Sequence, residues 1–202
     1  MLKLYSAPGT CSLAAHIALH EADAGHELVT LDFANQQQRS PEYLAINPKG
    51  RVPTLVTERG VLSETTALLL YIAQRFPAAK LAPLDDPFAL AHMQEFNSYL
   101  ASTVHVNHAH GRRAGRWADE ASSIADMQRK VPQTMSEAFS VIENHYLQGP
   151  WVLGEAYSVA DAYLFTIASW LKSDGVDIAL FPKVAAHTAR MLERPAVQRA
   201  LA

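Results

Sequence analysis

The chain has 202 residues, enough for one large domain or two modest ones, and its 49% hydrophobic and 18% charged content excludes a disordered or fibrous protein. Its net charge of −3 arises entirely in residues 81–202, which carry ten Lys/Arg against thirteen Asp/Glu, whereas residues 1–80 carry seven of each. A basic surplus that would neutralise phosphates is absent, so nucleic acid is not expected as a partner. One cysteine allows no internal disulfide and fits a reducing compartment. The longest apolar run, Ala67 to Ala73, falls short of the roughly 20 residues of a membrane helix, and no signal peptide precedes Pro8-Gly9. The expectation is a cytoplasmic protein without a membrane partner.

In chain order, Leu2 to Ala7 alternates as a short strand entering the Pro8-Gly9 turn. Ser12 is placed to cap a helix to about Ala24, ended by Gly25. Glu27 to Phe33 reads as a second strand, and Ser40-Pro41 opens a short helix broken at Asn47-Pro48-Lys49-Gly50. Val52 to Thr57 and Val61-Leu62 form a hairpin, after which Ser63 caps an apolar helix from Glu64 to Phe76. Strand–helix–strand, helix, strand–strand–helix is the thioredoxin-like order, a mixed four-stranded sheet with helices on its faces. Residues 1–77 are assigned to this domain, 78–87 to a proline-rich linker and 88–202 to an all-helical domain.

The helical part shows Ala89, Met93, Phe96, Leu100 and Val104 on one face, then a long face from Ile124 to Tyr146 that Pro132 should kink or divide. Ser158-Val-Ala-Asp161 reads as a capping box before another apolar helix, and Arg194-Pro195 splits the C-terminal pieces.

Three constellations carry chemistry. Cys11 lies at the start of the first helix, where the dipole should stabilise a thiolate and lower its pKa. With no second cysteine nearby, a dithiol cycle is excluded. Val52-Pro53 puts a proline at a strand start; a cis bond would turn the Val52 N–H and C=O toward a bound peptide, though local sequence allows cis and trans alike. Glu64-Thr65 at a helix start could take an ammonium and a carboxylate, or be a plain cap.

Together with their neighbours these pieces resemble the bacterial beta class of cytosolic glutathione transferases over essentially the whole chain. The stretches concerned are Pro8-Gly9-Thr10-Cys11-Ser12-Leu13, Leu44 to Pro53, Leu62-Ser63-Glu64, Leu100 to His105 and Val159 to Thr166. The resemblance implies a transferase of detoxification type that joins glutathione to small hydrophobic electrophiles. It implies a homodimer, with glutathione as co-substrate and no metal. It puts Cys11 and His105 in catalytic places and implies a glutathione site of Cys11, Gln36, Arg51, Val52, Pro53, Glu64, Thr65 and His105, with Pro53 cis. Relatives often carry a lysine where this chain has Asn35-Gln36, and a basic residue where it has Val106; Arg39, Arg51 or Arg112 are the available substitutes. His105, His108 and His110 are spaced off one helix face and lack an acidic neighbour in sequence, so they are not read as a metal site. Two other readings stand beside transfer: thiol–disulfide exchange or peroxide reduction through a Cys11–glutathione mixed disulfide, and a non-catalytic binding protein of the same fold.

Overall fold

A computed structural model describes residues 1–202. Strand β1 (Leu2–Ser6) lies at the centre of a four-stranded sheet ordered β2-β1-β3-β4, with β2 His26–Thr30, β3 Thr54–Thr57 and β4 Gly60–Ser63. β1 runs parallel to β2 and antiparallel to β3, and β3 turns antiparallel into β4, which is the thioredoxin-like arrangement expected. The register puts Leu4 beside Leu55, and both are fully buried beneath the helices. The second strand is shorter than predicted. Asp32 stops it by accepting from the N–H groups of Ala34 and Asn35 at 2.9 and 3.1 Å, a side-chain turn that competes with the ladder.

Helix α1 (Ser12–Glu21) follows β1, α2 (Pro41–Ile46) precedes β3, and α3 (Thr65–Arg75) follows β4. Ser12 is not the cap of α1. Cys11 occupies that position, while the Ser12 hydroxyl is tied to Ser6 and Thr10 at 2.7 and 2.6 Å. Ser40 does cap α2, accepting from the Tyr43 N–H at 3.2 Å. At α3 the helix starts one residue late, because Glu64 is the cap residue and holds φ at +75°. That left-handed backbone costs a non-glycine residue about 1–3 kcal/mol.

Residues 77–86 form a short 3₁₀ turn and an extended path that is pinned rather than free: Leu81 is buried, and its carbonyl accepts from the Val159 N–H at 2.9 Å. Helices α4 (Pro87–Tyr99) and α5 (His105–Arg113) are joined by a π-helical turn, Leu100–Val104. The predicted face survives it, with Met93, Phe96, Leu100 and Val104 fully buried. Helix α6 (Ala121–Val141) runs undivided through Pro132. The ring removes the bond to the Gln128 carbonyl, which costs an ordinary helix interior about 3 kcal/mol, and Gln128 is exposed, where solvent can reach it. Helices α8 (Pro182–Leu192) and α9 (Pro195–Leu201) close the chain.

Helix α7 (Val159–Ala168) is buried along its whole length. Its start is the predicted capping box: Ser158 Oγ accepts from the Ala160 N–H, and Asp161 accepts from the Ser158 N–H at 2.8 Å. The same carboxylate accepts from the Val152 N–H at 2.8 Å and meets His187 Nε2 at 3.0 Å. Each large apolar side chain that α7 buries contributes about 1.5–3 kcal/mol. One apolar core runs through both parts of the chain, from Leu4, Leu55 and Leu69 to Phe96, Tyr163 and Leu164. At its edge Arg194 holds Glu21 through two hydrogen bonds of 2.6 and 2.9 Å, fastening the C-terminal end to α1.

Candidate functional site

A cavity of about 350 Å³ opens between the end of the sheet and helix α5. It gathers Cys11, Arg51, Val52, Pro53, Glu64, Thr65 and His105 from the predicted set. Gln36 is exposed and does not line it; the neighbouring Gln38 and Arg39 do. Of the three arginines named as substitutes for the absent lysine, Arg39 and Arg51 reach the cavity, and Arg112 faces solvent.

The first wall is made largely of backbone. The Val52–Pro53 bond is cis. The loop before it is clamped from below, because Tyr43 Oη and Asn47 Nδ2 both donate to the Arg51 carbonyl, at 2.6 and 2.9 Å. Gly50, at φ +59°, lets this loop pass the next one; a Cβ there would lie 2.8 Å from the Gln38 carbonyl. Val52 accepts a hydrogen bond from the Cys11 thiol at 3.6 Å, and its N–H meets no acceptor in the chain. The N–H groups of Thr65 and Thr66, at the first turn of α3, are likewise without partners. Lys49 bridges the Ser63 hydroxyl, at 2.8 Å, and the Glu64 carboxylate.

Cys11 corrects an expectation. Burial, with a smaller push from the Glu64 charge, raises its thiol above the ordinary value and outweighs the Thr65 hydroxyl, Arg113 and the cysteine's own backbone N–H, which favour the thiolate.

The second wall is made of side chains. His105 follows the π turn and stands edge-on to Trp170, with centroids 4.9 Å apart. Burial, then the charges of Arg113, His108, Arg51 and Arg116, lower its pKa to about 4. It is therefore neutral near pH 7. His108 stacks on Trp170 at 4.3 Å and meets both carboxylate oxygens of Asp174 at 2.8 Å. The acidic partner that seemed absent in sequence is thus 66 positions away. His110 turns elsewhere, edge-on to Trp117 at 4.6 Å. His105 and His108, with ring centroids 6.4 Å apart, thus share Trp170, and His110 lies against a different indole.

Sequence reasoning missed Arg116, Trp117, Tyr163 and Trp170, all of which line the cavity. Arg113 ends the stretch Asn107 to Arg113, which the sequence puts at the second-substrate wall, and it lines the cavity. Tyr163 lay inside a matched stretch without a role; its hydroxyl sits near Cys11 and Thr65, and burial raises its pKa so that it stays a proton donor. Arg39, Lys49, Arg51, Arg113 and Arg116 surround the cavity against a single carboxylate, Glu64. The site is built for anions.

A thioredoxin-like sheet joined to a helical domain, with free amides beside a cis-proline and a cysteine, defines a protein that holds a thiol-bearing peptide. Residues 1–74 match the family described as glutathione S-transferase, N-terminal domain, and residues 107–195 match its C-terminal domain. The glutathione S-transferase GstA of Escherichia coli O157:H7 is 31% identical over 202 residues, covering 99% of this chain and 97% of that protein. A glutathione transferase homologue from Sulfitobacter, solved with bound glutathione, superposes with a TM-score of 0.97 at 48% identity, covering 100% of this chain and 97% of the other. A beta-class enzyme from Sphingomonas chungbukensis superposes with a TM-score of 0.86 at 31% identity, covering 98% and 96%. The chain belongs to the glutathione S-transferase family.

Proposed function

We propose that this glutathione transferase is of the beta class and conjugates the glutathione thiolate to small, largely hydrophobic electrophiles that carry an acidic group. The observation that carries the reading is the row of unpaired N–H groups, Val52, Thr65 and Thr66, facing one cavity beside Cys11. An extended tripeptide would pair with Val52 as an added strand does. Its γ-glutamyl carboxylate would rest on the start of α3. Its ammonium would draw Glu64 from Lys49, an exposed pair worth only about 0.2–1 kcal/mol. Arg39 and Arg51 stand near for the other carboxylate.

The glutathione sulfur would then lie against Cys11, the Thr65 hydroxyl and Tyr163, with neutral His105 across the cavity. Hydrogen bonds to the thiolate raise its population; its lone pair attacks the electrophilic carbon, a C–S bond forms, and the leaving group departs with its electrons. The thiol proton passes to solvent. Arg113 and Arg116 exceed what the tripeptide needs, and with Trp117 and Phe33 they form the part of the cavity suited to an aromatic acid. Residues 1–77, 78–87 and 88–202 are taken as the glutathione-binding, connecting and substrate-wall segments. We place the enzyme in the cytoplasm in a detoxifying role; no helix is long and apolar enough to cross a membrane.

The homodimer belongs to the same reading. Of the apolar run Ala67 to Ile72, Leu68, Leu69 and Ile72 are spent on the chain's own core. Ala67 stays exposed and Leu70 half-buried, and Phe88 at the start of α4 is 84% exposed.

Calorimetry with glutathione, followed by a conjugation assay with 1-chloro-2,4-dinitrobenzene and 4-chloro-3-nitrobenzoate, tests the proposal. Absence of heat with glutathione sinks it, and a preference for the neutral substrate removes the acidic-group clause. Thiol exchange through Cys11 is disfavoured by a buried thiol held in its protonated form. Cys11→Ala should keep conjugation within about threefold of the parent, the effect of one weak hydrogen bond. Loss of all activity would restore the mixed-disulfide route.

A further inference from the structure

At the far end of α1 from Cys11, three histidines converge outside the glutathione cavity. His16 and His20 are one turn apart on the same helix face, and His26 opens β2. Their ligand atoms all lie within 4.8 Å of one another, with His16 Nε2 and His20 Nε2 3.0 Å apart. The rings contact each other in every pairing, with centroids 4.6, 5.2 and 5.0 Å apart. We propose that His16, His20 and His26 form a binding site for a divalent transition-metal ion, of which Zn²⁺ is the fitting example, that ties the end of α1 to the start of β2.

The donors suit that ion. A tetrahedral Zn²⁺ with bonds of about 2.0–2.1 Å holds neighbouring nitrogens about 3.3 Å apart, close to the spacing already present between His16 and His20. One hydrogen bond can satisfy that pair, but it leaves the third imidazole without a partner in the cluster. His26 Nδ1 donates to the Ala24 carbonyl at 2.8 Å, so Nε2 carries the free lone pair. A backbone carbonyl on the distal nitrogen is the outer support that metal-binding histidines commonly have. Burial, then His20 and His26, lower the His16 pKa to about 4, and burial with His26 and Arg199 lowers that of His20. Neutral imidazoles are the ligating form. With no carboxylate or thiol in the set, the site favours zinc, cobalt, nickel or copper over magnesium or calcium.

The site is also reachable and firm. His20 and His26 are half-buried, leaving a solvent-side position for water as fourth ligand, while His16 is buried under α9. Arg199 is the fixed charge facing the cluster, and its guanidinium donates to the His20 carbonyl at 3.1 Å. It opposes a cation to some degree and favours an anionic fourth ligand. Glu21 nearby is engaged by Arg194. The i,i+4 histidine pair was legible in sequence; its partner across the turn was not.

The test uses the full, untagged chain, stripped with a chelator and dialysed against Zn²⁺ or Co²⁺. One ion per chain is expected, with a tetrahedral Co²⁺ absorption lacking the sulfur-to-metal charge-transfer band. His20→Gln and His26→Gln should each weaken binding at least about tenfold, on the scale of losing a group that supports a metal. Glutathione affinity should be unchanged in both, so this proposal and the transferase reading can fail separately. His145→Gln, an exposed position elsewhere, and Cys11→Ala should bind like the parent. No ion retained by the parent, unchanged binding in both His variants, or loss of binding in Cys11→Ala would each overturn the site.

Discussion

The two walls of the cavity differ in what they are made of. The first presents backbone N–H groups from Val52, Thr65 and Thr66, fixed by a sheet edge, a helix start and the Tyr43–Asn47 clamp. The second presents long or aromatic side chains, His105, Arg113, Arg116 and Trp117, on helix α5 and the turn that follows. A backbone wall tolerates sequence change and holds one constant ligand; a side-chain wall can be rewritten residue by residue. The division suits an enzyme with one fixed substrate and one variable one.

The strongest way to break this contrast is to remove what both walls stand on. Asp161→Ala removes the carboxylate half of the capping box of α7 and leaves His187 Nε2 and the Val152 N–H without their partner, and breaking a buried pair of this kind costs about 3–5 kcal/mol. Urea unfolding should show that loss, and glutathione binding and conjugation should fail at the same denaturant concentration. A variant that lost one function and kept the other would show the walls to be independently supported.

Next in size is the first wall by itself. Thr65 is the first residue of α3, the helical position at which proline is tolerated because its N–H has no partner within the helix. Thr65→Pro should weaken glutathione binding about 30-fold by deleting one charge-assisted hydrogen bond, while Thr65→Val costs about threefold. Calorimetry measures both. Equal losses would mean that the side chain, not the amide, carries the contact.

A smaller effect sharpens the second wall. Arg113→Ala or Arg116→Ala should lower kcat/KM about fivefold for 4-chloro-3-nitrobenzoate and leave 1-chloro-2,4-dinitrobenzene unchanged, with the difference shrinking as salt is added.

A last effect, on stability rather than activity, concerns pH. His105 titrates at about 4 in the folded chain and near 6.5 when unfolded, so the unfolded state takes up its proton first as pH falls. Its contribution to stability is present above 6.5 and is lost as pH falls toward 4. Denaturation midpoints across that window should flatten in His105→Gln by at most about 1.4 kcal/mol per pH unit. A slope unchanged by the substitution would place the charge elsewhere.

Legibility followed the same division. Short-range signals gave the thioredoxin-like order, the Ser40 cap and the Ser158–Asp161 box, because each depends on neighbours a few positions apart, whereas the residues of the first wall came from the family resemblance. The Cys11 pKa was misread because helix position is visible in sequence whereas burial beneath Val52 is not. His108 found Asp174, and His16 found His26, only through folding. Gln36 was taken for the site because the loop containing it is right but its left-handed turn at φ +55° brings Gln38 and Arg39 to the cavity instead.

The π turn at Leu100–Val104 acts as a phase shift in an otherwise regular spiral. It accommodates one extra residue, and each residue of an α-helix advances the azimuth by about 100°. Forcing these five residues into a regular α-helix, with none removed, would rotate everything downstream about the axis by about 100°. His105, Ala109 and Arg113 would swing off the cavity together while the glutathione edge stayed as it was, so the dimension in which this enzyme can most readily change its clientele is angular.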